Sequence, residues 1–346
     1  MSSMSEYVHL WEDPAGWLDT ASYGLPPRPA WEALQEALAE WRVGRVSWRT
    51  WDASIGAARG AFARLIGAAP EDVAVGSTVA AALAVVASSL PDGTTVLVDD
   101  VEFTSNVFPW QVHADRGVRV VAASTEELVA SIRPGIDVVA VSAVQSATGT
   151  VLDVPAVVAA SAEVGARIVL DASQAAGWLP LDATHVDVLV AHSYKFLMCP
   201  RGASFCYLSP RMREGMRPLH ASWYAAEDNT ASYYGTRMEL AGDARRFDQS
   251  PAWFNHVAAA PTLELIERIG VKAIHDHDVT LANRFRAGLG MPEGNSAIVT
   301  ARLPGAAEAL AAAGIRASVR NDLLRVAFHV YSTEADVDRA LEALQS

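Results

Sequence analysis

The sequence predicts an α/β protein: a mostly parallel, doubly wound sheet followed by a smaller α+β portion at the C-terminal end. Three observations carry that prediction. Short β-branched runs alternate with helix-length segments from residue 73 onward, the spacing of successive strand and helix units in a parallel sheet. The runs at 167–170 and 186–191 are largely apolar instead of alternating, as strands covered on both faces are. Each run ends in polar residues, Asp171-Ala-Ser-Gln174 and His192-Ser-Tyr-Lys195, for which an ordinary buried strand has no use.

Composition bounds the size and the partners. With 346 residues, 51% hydrophobic and 19% charged, the chain can bury a sizeable core shared between a large and a small domain. The expected division is an N-terminal segment 1–30 joining the small domain, a large domain 31–255 and a small α+β domain 256–346. A net charge of −13 would repel nucleic acid and anionic membrane surfaces, so neither is an expected partner. Cys199 and Cys206 are too few for a disulfide framework and belong to no Cys/His metal pattern; no metal is expected, and a reducing cytoplasm is. Residues 1–16 have neither a basic n-region nor an apolar h-region, and no later apolar run reaches membrane-spanning length.

The elements follow in order. Residues 17–30 read as a short extended piece ending in a Pro-rich turn, and 31–41 has helical spacing. Strand 73–75 then enters an apolar helical run, 79–90, through Gly76-Ser77-Thr78. That junction offers unpaired amides and two hydroxyls at the positive end of a helix dipole, which suits a phosphate. Strand 95–98 leads through 99–106 to a helix containing Trp110 and Gln111, and two strand–helix pairs follow, 118–122 with 125–131 and 138–142 with 154–163. Gln145 and Ser146 lie inside the second of these pairs. After Lys195 come strand 204–208 and a basic helix 210–217, whereas the Trp- and Tyr-rich segment 219–242 has no periodicity and is read as a substrate-shaping loop. Strands 297–301, 315–319 and 323–329 and helices 305–313 and 334–344 complete the chain, the last helix starting after Ser332-Thr333.

In an open parallel sheet, ligands sit in the crevice beyond the carboxyl ends of the strands, so Asp171, Gln174 and Lys195 face one cavity. A carboxylate and a lysine held there suggest pyridoxal phosphate. Lys195 would carry the aldehyde as a Schiff base, Asp171 would hold the pyridinium proton and keep the ring an electron sink, and Gln174 would hydrogen-bond the 3-hydroxyl. Lys195 stands between apolar blocks, where desolvation lowers its pKa and favours imine chemistry.

The segment D-A-S-Q-x-x-G followed by S-Y-K-F-L-x-x-P-R-G resembles the class V aminotransferase family, the group that includes cysteine desulfurases, kynureninase and isopenicillin N epimerase-like proteins. The similarity extends over nearly the whole chain. It implies the pyridoxal phosphate-dependent transferase fold type I and an enzyme acting on an α-amino acid. By that resemblance Gly76, Ser77 and Thr78 hold the cofactor phosphate, His192 and Tyr194 join Lys195 around the cofactor, and Ala21 lies near the substrate carboxylate. Ser146 stands close to the place of an asparagine that contacts cofactor or substrate in relatives. Arg325 takes the place of the arginine that binds the α-carboxylate, a task its planar guanidinium suits, with Arg320 as second candidate. Residues 245–251 resemble the R-F-E-x-G-T-P turn that reaches into a neighbouring subunit's phosphate site; Ser250 matches its threonine, which implies a homodimer with composite active sites.

Two departures narrow the chemistry. Phe103 stands where the family's Glu-His-x-x-Asn motif has a histidine, so the ring can stack on the cofactor but offers no proton-transfer group. The stretch between Arg320 and Arg325 is short and has no cysteine, so persulfide formation there is not expected. Transamination is the expected reaction. A carbon–sulfur β-lyase of the cysteine-conjugate type, an amino-acid epimerase and a pyridoxal phosphate-binding protein without catalysis stay open beside it.

Overall fold

The structure, a computed structural model, describes residues 4–345. Seven strands, β1 (Val73–Gly76), β2 (Thr95–Asp99), β3 (Arg119–Ala123), β4 (Val138–Ser142), β5 (Arg167–Asp171), β6 (Val188–His192) and β7 (Ser204–Leu208), form one sheet in the order β1-β7-β6-β5-β4-β2-β3. β7 runs antiparallel to both of its neighbours, and every other pairing is parallel. Successive strand residues point to opposite faces, and both faces are covered from β1 to β2, while the edge strand β3 stays largely exposed. Leu97, Val139, Val141 and Leu170 pack into one apolar cluster with Ile55 and Phe62 of the helix Trp48–Leu65. Val96, Val98, Val138 and Val169 pack into another with Leu83 and Val86 of the helix Val79–Ser88. This two-sided burial is why the sequence runs are continuously apolar.

The strand order places the crevice. From β2 the chain moves to β3 on one side, returns to β4 on the other side of β2, and then continues outward through β5 and β6. Loops leaving the carboxyl ends of β2 and β4 therefore diverge, the arrangement that opens a ligand crevice in doubly wound sheets. Glu102, after β2, spans the gap: its carboxylate accepts from the Ser142 amide at 2.8 Å and from the Ser142 hydroxyl at the end of β4.

A second sheet, β8 (Ile298–Ala301), β9 (Ser318–Arg320) and β10 (Leu323–Ala327), is antiparallel in the order β8-β10-β9. The β9–β10 turn is Asn321-Asp322, with φ of 49° and 60°, the left-handed pair of a tight two-residue hairpin. The N-terminal segment is stitched to this sheet: the Leu18 amide donates to Arg316 O at 3.0 Å, and the Ala327 amide donates to Leu18 O at 2.8 Å. Among the described residues no helix is long and apolar enough to cross a membrane.

Several boundaries differ from expectation. The strand expected over 323–329 stops at Ala327, because residues 328–332 turn: the Ser332 amide donates to His329 O and the His329 amide to Ser332 Oγ. The strand expected over 315–319 is Ser318–Arg320. Two helices of 17 and 18 residues, Trp253–Ile269 and Val271–Gly288, had no clear signal, the first carrying Pro261 in its interior. The segment 219–242 is irregular as read, with one short 3-10 turn at Trp223–Ala225.

Candidate active site

Lys195 lies three residues beyond β6 and is 8% exposed; Asp171, the last residue of β5, is 5% exposed. Parallel pairing of β5 with β6 brings these chain segments to the same end of the sheet, and both residues line a cavity of about 220 Å³. Burial lowers the Lys195 pKa to about 8: Asp171 pulls it back up, while Arg325, Arg320 and Arg201 push it further down. Burial also raises the Asp171 carboxyl above its ordinary value, against a 2.8 Å hydrogen bond from the Ser173 amide and the attraction of Lys195. The outcome is an amine with a sizeable neutral fraction near neutrality beside a desolvated carboxyl, a pairing suited to proton and imine chemistry.

Five further residues named from the sequence line the same cavity: Phe103, Ser146, Gln174, His192 and Tyr194. The Phe103 ring centroid is 5.5 Å from Lys195 Nζ and that of Tyr194 is 5.9 Å away. Gln174 Nε2 donates to Ala21 O at 3.0 Å and to Ser146 Oγ at 3.1 Å, so Ala21, itself outside the cavity lining, is tied to that lining through its carbonyl. Burial pushes the His192 pKa down to about 4, with Lys195 and Arg201 adding to the shift, so the ring is neutral.

Arg325, on β10, is 1% exposed and reaches the cavity rim by way of Ser146, donating to its carbonyl at 2.7 Å. Its other partners are hydroxyls, Ser22 Oγ at 3.0 Å and Ser318 Oγ at 3.2 Å, and the nearest carboxylate, Asp19, is 3.7 Å away. Burial, with Arg320 assisting, holds its pKa down at about 10 against the attraction of Asp19, with which it forms a loose ion pair. Arg320 is exposed and shares Ser22 Oγ at 3.2 Å.

The Gly76-Ser77-Thr78 turn sits beside the cavity, where Val79 is part of the lining. Thr78 Oγ1 caps the following helix by accepting from the Ala81 amide at 3.1 Å. The Ser77 amide and hydroxyl both donate to Gln249 Oε1, at 3.2 and 2.9 Å, so a phosphate at Ser77 has to take these donors from Gln249. Ser250 is exposed and is not part of the cavity lining in its own chain.

Sequence reasoning missed three contributors. Glu102 is buried, and burial together with the neighbouring Asp171 raises its pKa to about 7 against hydrogen bonds from Ser142 and the Phe103 amide. Ser142 lines the cavity as the acid's partner, and the signal for both was the polar end of an apolar strand, the cue already used for Asp171. Arg201, also lining, stacks on Tyr194 with 5.0 Å between guanidinium and ring centroid; it was visible only as part of a motif.

Comparison with known proteins agrees with this geometry. A family model described as aminotransferase class-V matches residues 18–308. The chain belongs to the class V aminotransferase family. This is a family of pyridoxal phosphate-dependent enzymes. The chain is 29% identical to an uncharacterised aminotransferase, YcbU, of Bacillus subtilis, over 94% of this chain and 93% of that one. It is 27% identical to isopenicillin N epimerase of Streptomyces clavuligerus, over 95% and 94%. The apo structure of a cysteine desulfurase from Thermococcus onnurineus superposes with a TM-score of 0.82 at 22% identity, covering 95% of this chain and 93% of that one, which places the fold in the pyridoxal phosphate-dependent fold type I group.

The residues present fit that cofactor. Gln174 Oε1 and His192 Nδ1 are buried without a partner although both residues line the cavity, so the site holds unspent hydrogen-bonding capacity beside Lys195 and Asp171. The orphan on Gln174 is an acceptor, which suits a ring hydroxyl that keeps its proton. Cys199 and Cys206 are buried and burial raises both thiols, the opposite of an activated nucleophile. The two-residue β9–β10 turn leaves no loop there for a mobile cysteine.

Proposed function

We propose that the protein is an aminotransferase acting on an α-amino acid, with Lys195 as the cofactor-binding amine and proton carrier. The observation that carries this reading is one cavity holding Lys195 and Asp171, with Arg325 at its rim. Pyridoxal phosphate, when bound, supplies an electron sink for the charge that develops at the substrate Cα. Asp171 would hold a proton on the ring nitrogen, and that positive partner would favour its ionised form against the burial that raises its pKa. Gln174, His192 and Phe103 would hold the cofactor ring, and Ser77 with the neighbouring amides would take its phosphate. Arg325 would hold the α-carboxylate, and Lys195, in the same cavity, would be the amine that moves the Cα proton. With its pKa near 8 that amine is a competent general base at neutral to mildly alkaline pH.

Phe103 offers no proton-transfer group where the family motif has a histidine, and His192, the histidine that does line the cavity, has its pKa held down at about 4, which leaves Lys195 as the stronger base for the proton shift that transamination would need. Ser250 of a neighbouring copy would complete the phosphate site in a cytoplasmic homodimer. Lys195→Ala tests the core of the reading. Borohydride reduction followed by peptide mapping should place the pyridoxyl adduct on Lys195 in the wild type and nowhere in the variant; an adduct that survives the substitution contradicts it. In the apoprotein, uptake of pyridoxal phosphate should accelerate with rising pH and level off above about 8, because only the neutral amine attacks the aldehyde. A rate that is flat across that range would remove Lys195 as the attacking group.

A further inference from the structure

Behind the active-site lysine lies a buried His–Asp pair that the proposed reaction does not use. His329, in the turn that follows β10, and Asp278, in the helix Val271–Gly288, are both 0% exposed. His329 Nδ1 lies 2.9 Å from Asp278 Oδ2, and its Nε2 lies 2.8 Å from the backbone carbonyl of Phe196, the residue next to Lys195. A carbonyl can only accept, so Nε2 carries a proton that it donates to Phe196 O, whichever side of the Nδ1–Asp278 contact holds the other proton. His275 and His277 also face Asp278, and His277 Nε2 meets Ser332 O at 3.1 Å.

The Phe196 carbonyl belongs to a constrained turn. Met198 has φ of 53°, an unfavourable value for a side chain of its kind, and its amide closes the turn onto Lys195 O at 2.9 Å. Gly177 comes so close that a Cβ placed on it would meet Phe196 O at 2.6 Å. Backbone in such a conformation persists only where its surroundings hold it. His329 is one of those holds, and it reaches the turn from the segment that also carries Arg325, four residues earlier.

We propose that His329, braced by Asp278, is a positioning residue: its Nε2–H fixes the Phe196 peptide, and with it the Lys195 backbone, to the β10 segment whose Arg325 receives the substrate carboxylate. Substrate engagement at Arg325 and the placement of the Lys195 amine are thereby mechanically linked. The proposal rests on Lys195 being the cofactor-binding amine, which borohydride mapping tests separately in every variant.

The test uses holoenzyme and two substitutions. His329→Asn keeps an amide N–H for Asp278 and withdraws from Phe196 O, whereas His329→Gln extends an amide toward Phe196 O. For His329→Asn the account expects a kcat about tenfold lower with KM within about twofold, the pattern of misplaced reacting groups, and a displaced pH midpoint of the bound cofactor's visible absorbance. His329→Gln should recover most of both. Equal loss in the two variants would assign the effect to ring packing and overturn the proposal, as would a folded His329→Asn enzyme with wild-type spectrum and kcat. If neither variant folds, wild-type holoenzyme labelled with 15N-histidine decides. A slowly exchanging ring N–H should change shift when an amino-acid donor is added, and an unmoved set of buried ring resonances would overturn the link. Loss of the Lys195 adduct in the wild type would instead refute the functional reading.

Discussion

Two buried arginines in this molecule meet opposite fates. Arg59, in the helix Trp48–Leu65, forms a two-pronged bond to Asp248, Nη2 to Oδ2 at 2.6 Å and Nη1 to Oδ1 at 3.2 Å, and also donates to Val73 O. Burial works against its charge, but Asp248 more than compensates, and its pKa is raised. Asp248 in turn accepts from the Val75 amide at 2.8 Å, so the pair fixes the entry to the Gly76-Ser77-Thr78 turn. Arg325 is buried at least as deeply, yet its bonds go to three serines and its nearest carboxylate is 3.7 Å off, so burial dominates and the pKa falls to about 10. A guanidinium in a close bidentate pair with a buried carboxylate is structural, whereas one whose ion pair with Asp19 is stretched to 3.7 Å, and whose short bonds go to neutral oxygens, retains affinity for an incoming carboxylate.

That contrast can be broken or sharpened by substitution. The largest expected effect is on folding: Asp248→Ala strands the buried Arg59 charge and should cost about 3–5 kcal/mol in urea unfolding, since breaking a buried pair leaves an uncompensated ion. The activity that remains should track the folded fraction, and a stable but inactive variant would move Asp248 from scaffold to site. Arg325→Gln should do the reverse. We expect a loss of about 3 kcal/mol in kcat/KM, roughly 150-fold, while unfolding stability changes by no more than about 1 kcal/mol. In the same vein a simple carboxylate at about a hundred times its Kd should stabilise the wild type by about 2.7 kcal/mol and leave Arg325→Gln unmoved. Equal stabilisation of both proteins would remove Arg325 as the carboxylate site.

The smallest effect concerns Gln249, the neighbour of Asp248. Its Oε1 occupies the Ser77 amide and hydroxyl, so Gln249→Ala should release both donors and tighten inorganic phosphate or cofactor binding by about 1 kcal/mol, measured by equilibrium titration of the apoprotein. Weaker binding would mean that Gln249 itself serves the phosphate.

The parts of this site that were legible in the sequence are those where a residue contradicts its surroundings. Asp171 and Lys195 end apolar strand runs, and Arg325 interrupts one, so their chemistry stood out against the sheet. The doubly wound sheet was legible for the same reason, because strands covered on both faces lose polar alternation. What stayed hidden depends on tertiary meetings between distant segments. Ser22 and Asp19 reach Arg325 only because residues 17–19 run alongside the end of β10. Gln249 reaches Ser77 only because its own amide pairs with Val75 O at 3.1 Å. Glu102 was passed over because the carboxylate finds its partner 40 residues away, at the end of another strand. The long helices Trp253–Ile269 and Val271–Gly288 lacked side-chain N-caps, and nothing but Gly270 separates them, so the starts and stops that mark helices in a sequence were missing.

The measurement that bears most directly on the central claim is a single turnover. Purified holoenzyme is mixed with a panel of amino acids and cysteine conjugates without any keto-acid acceptor, and cofactor and products are followed by mass analysis. The account predicts stoichiometric conversion of the cofactor to pyridoxamine phosphate with one equivalent of keto acid, which also identifies the amino donor. Cofactor returned to its aldehyde form on Lys195 while pyruvate, ammonia and a sulfur fragment accumulate would contradict it and make the protein a carbon–sulfur lyase.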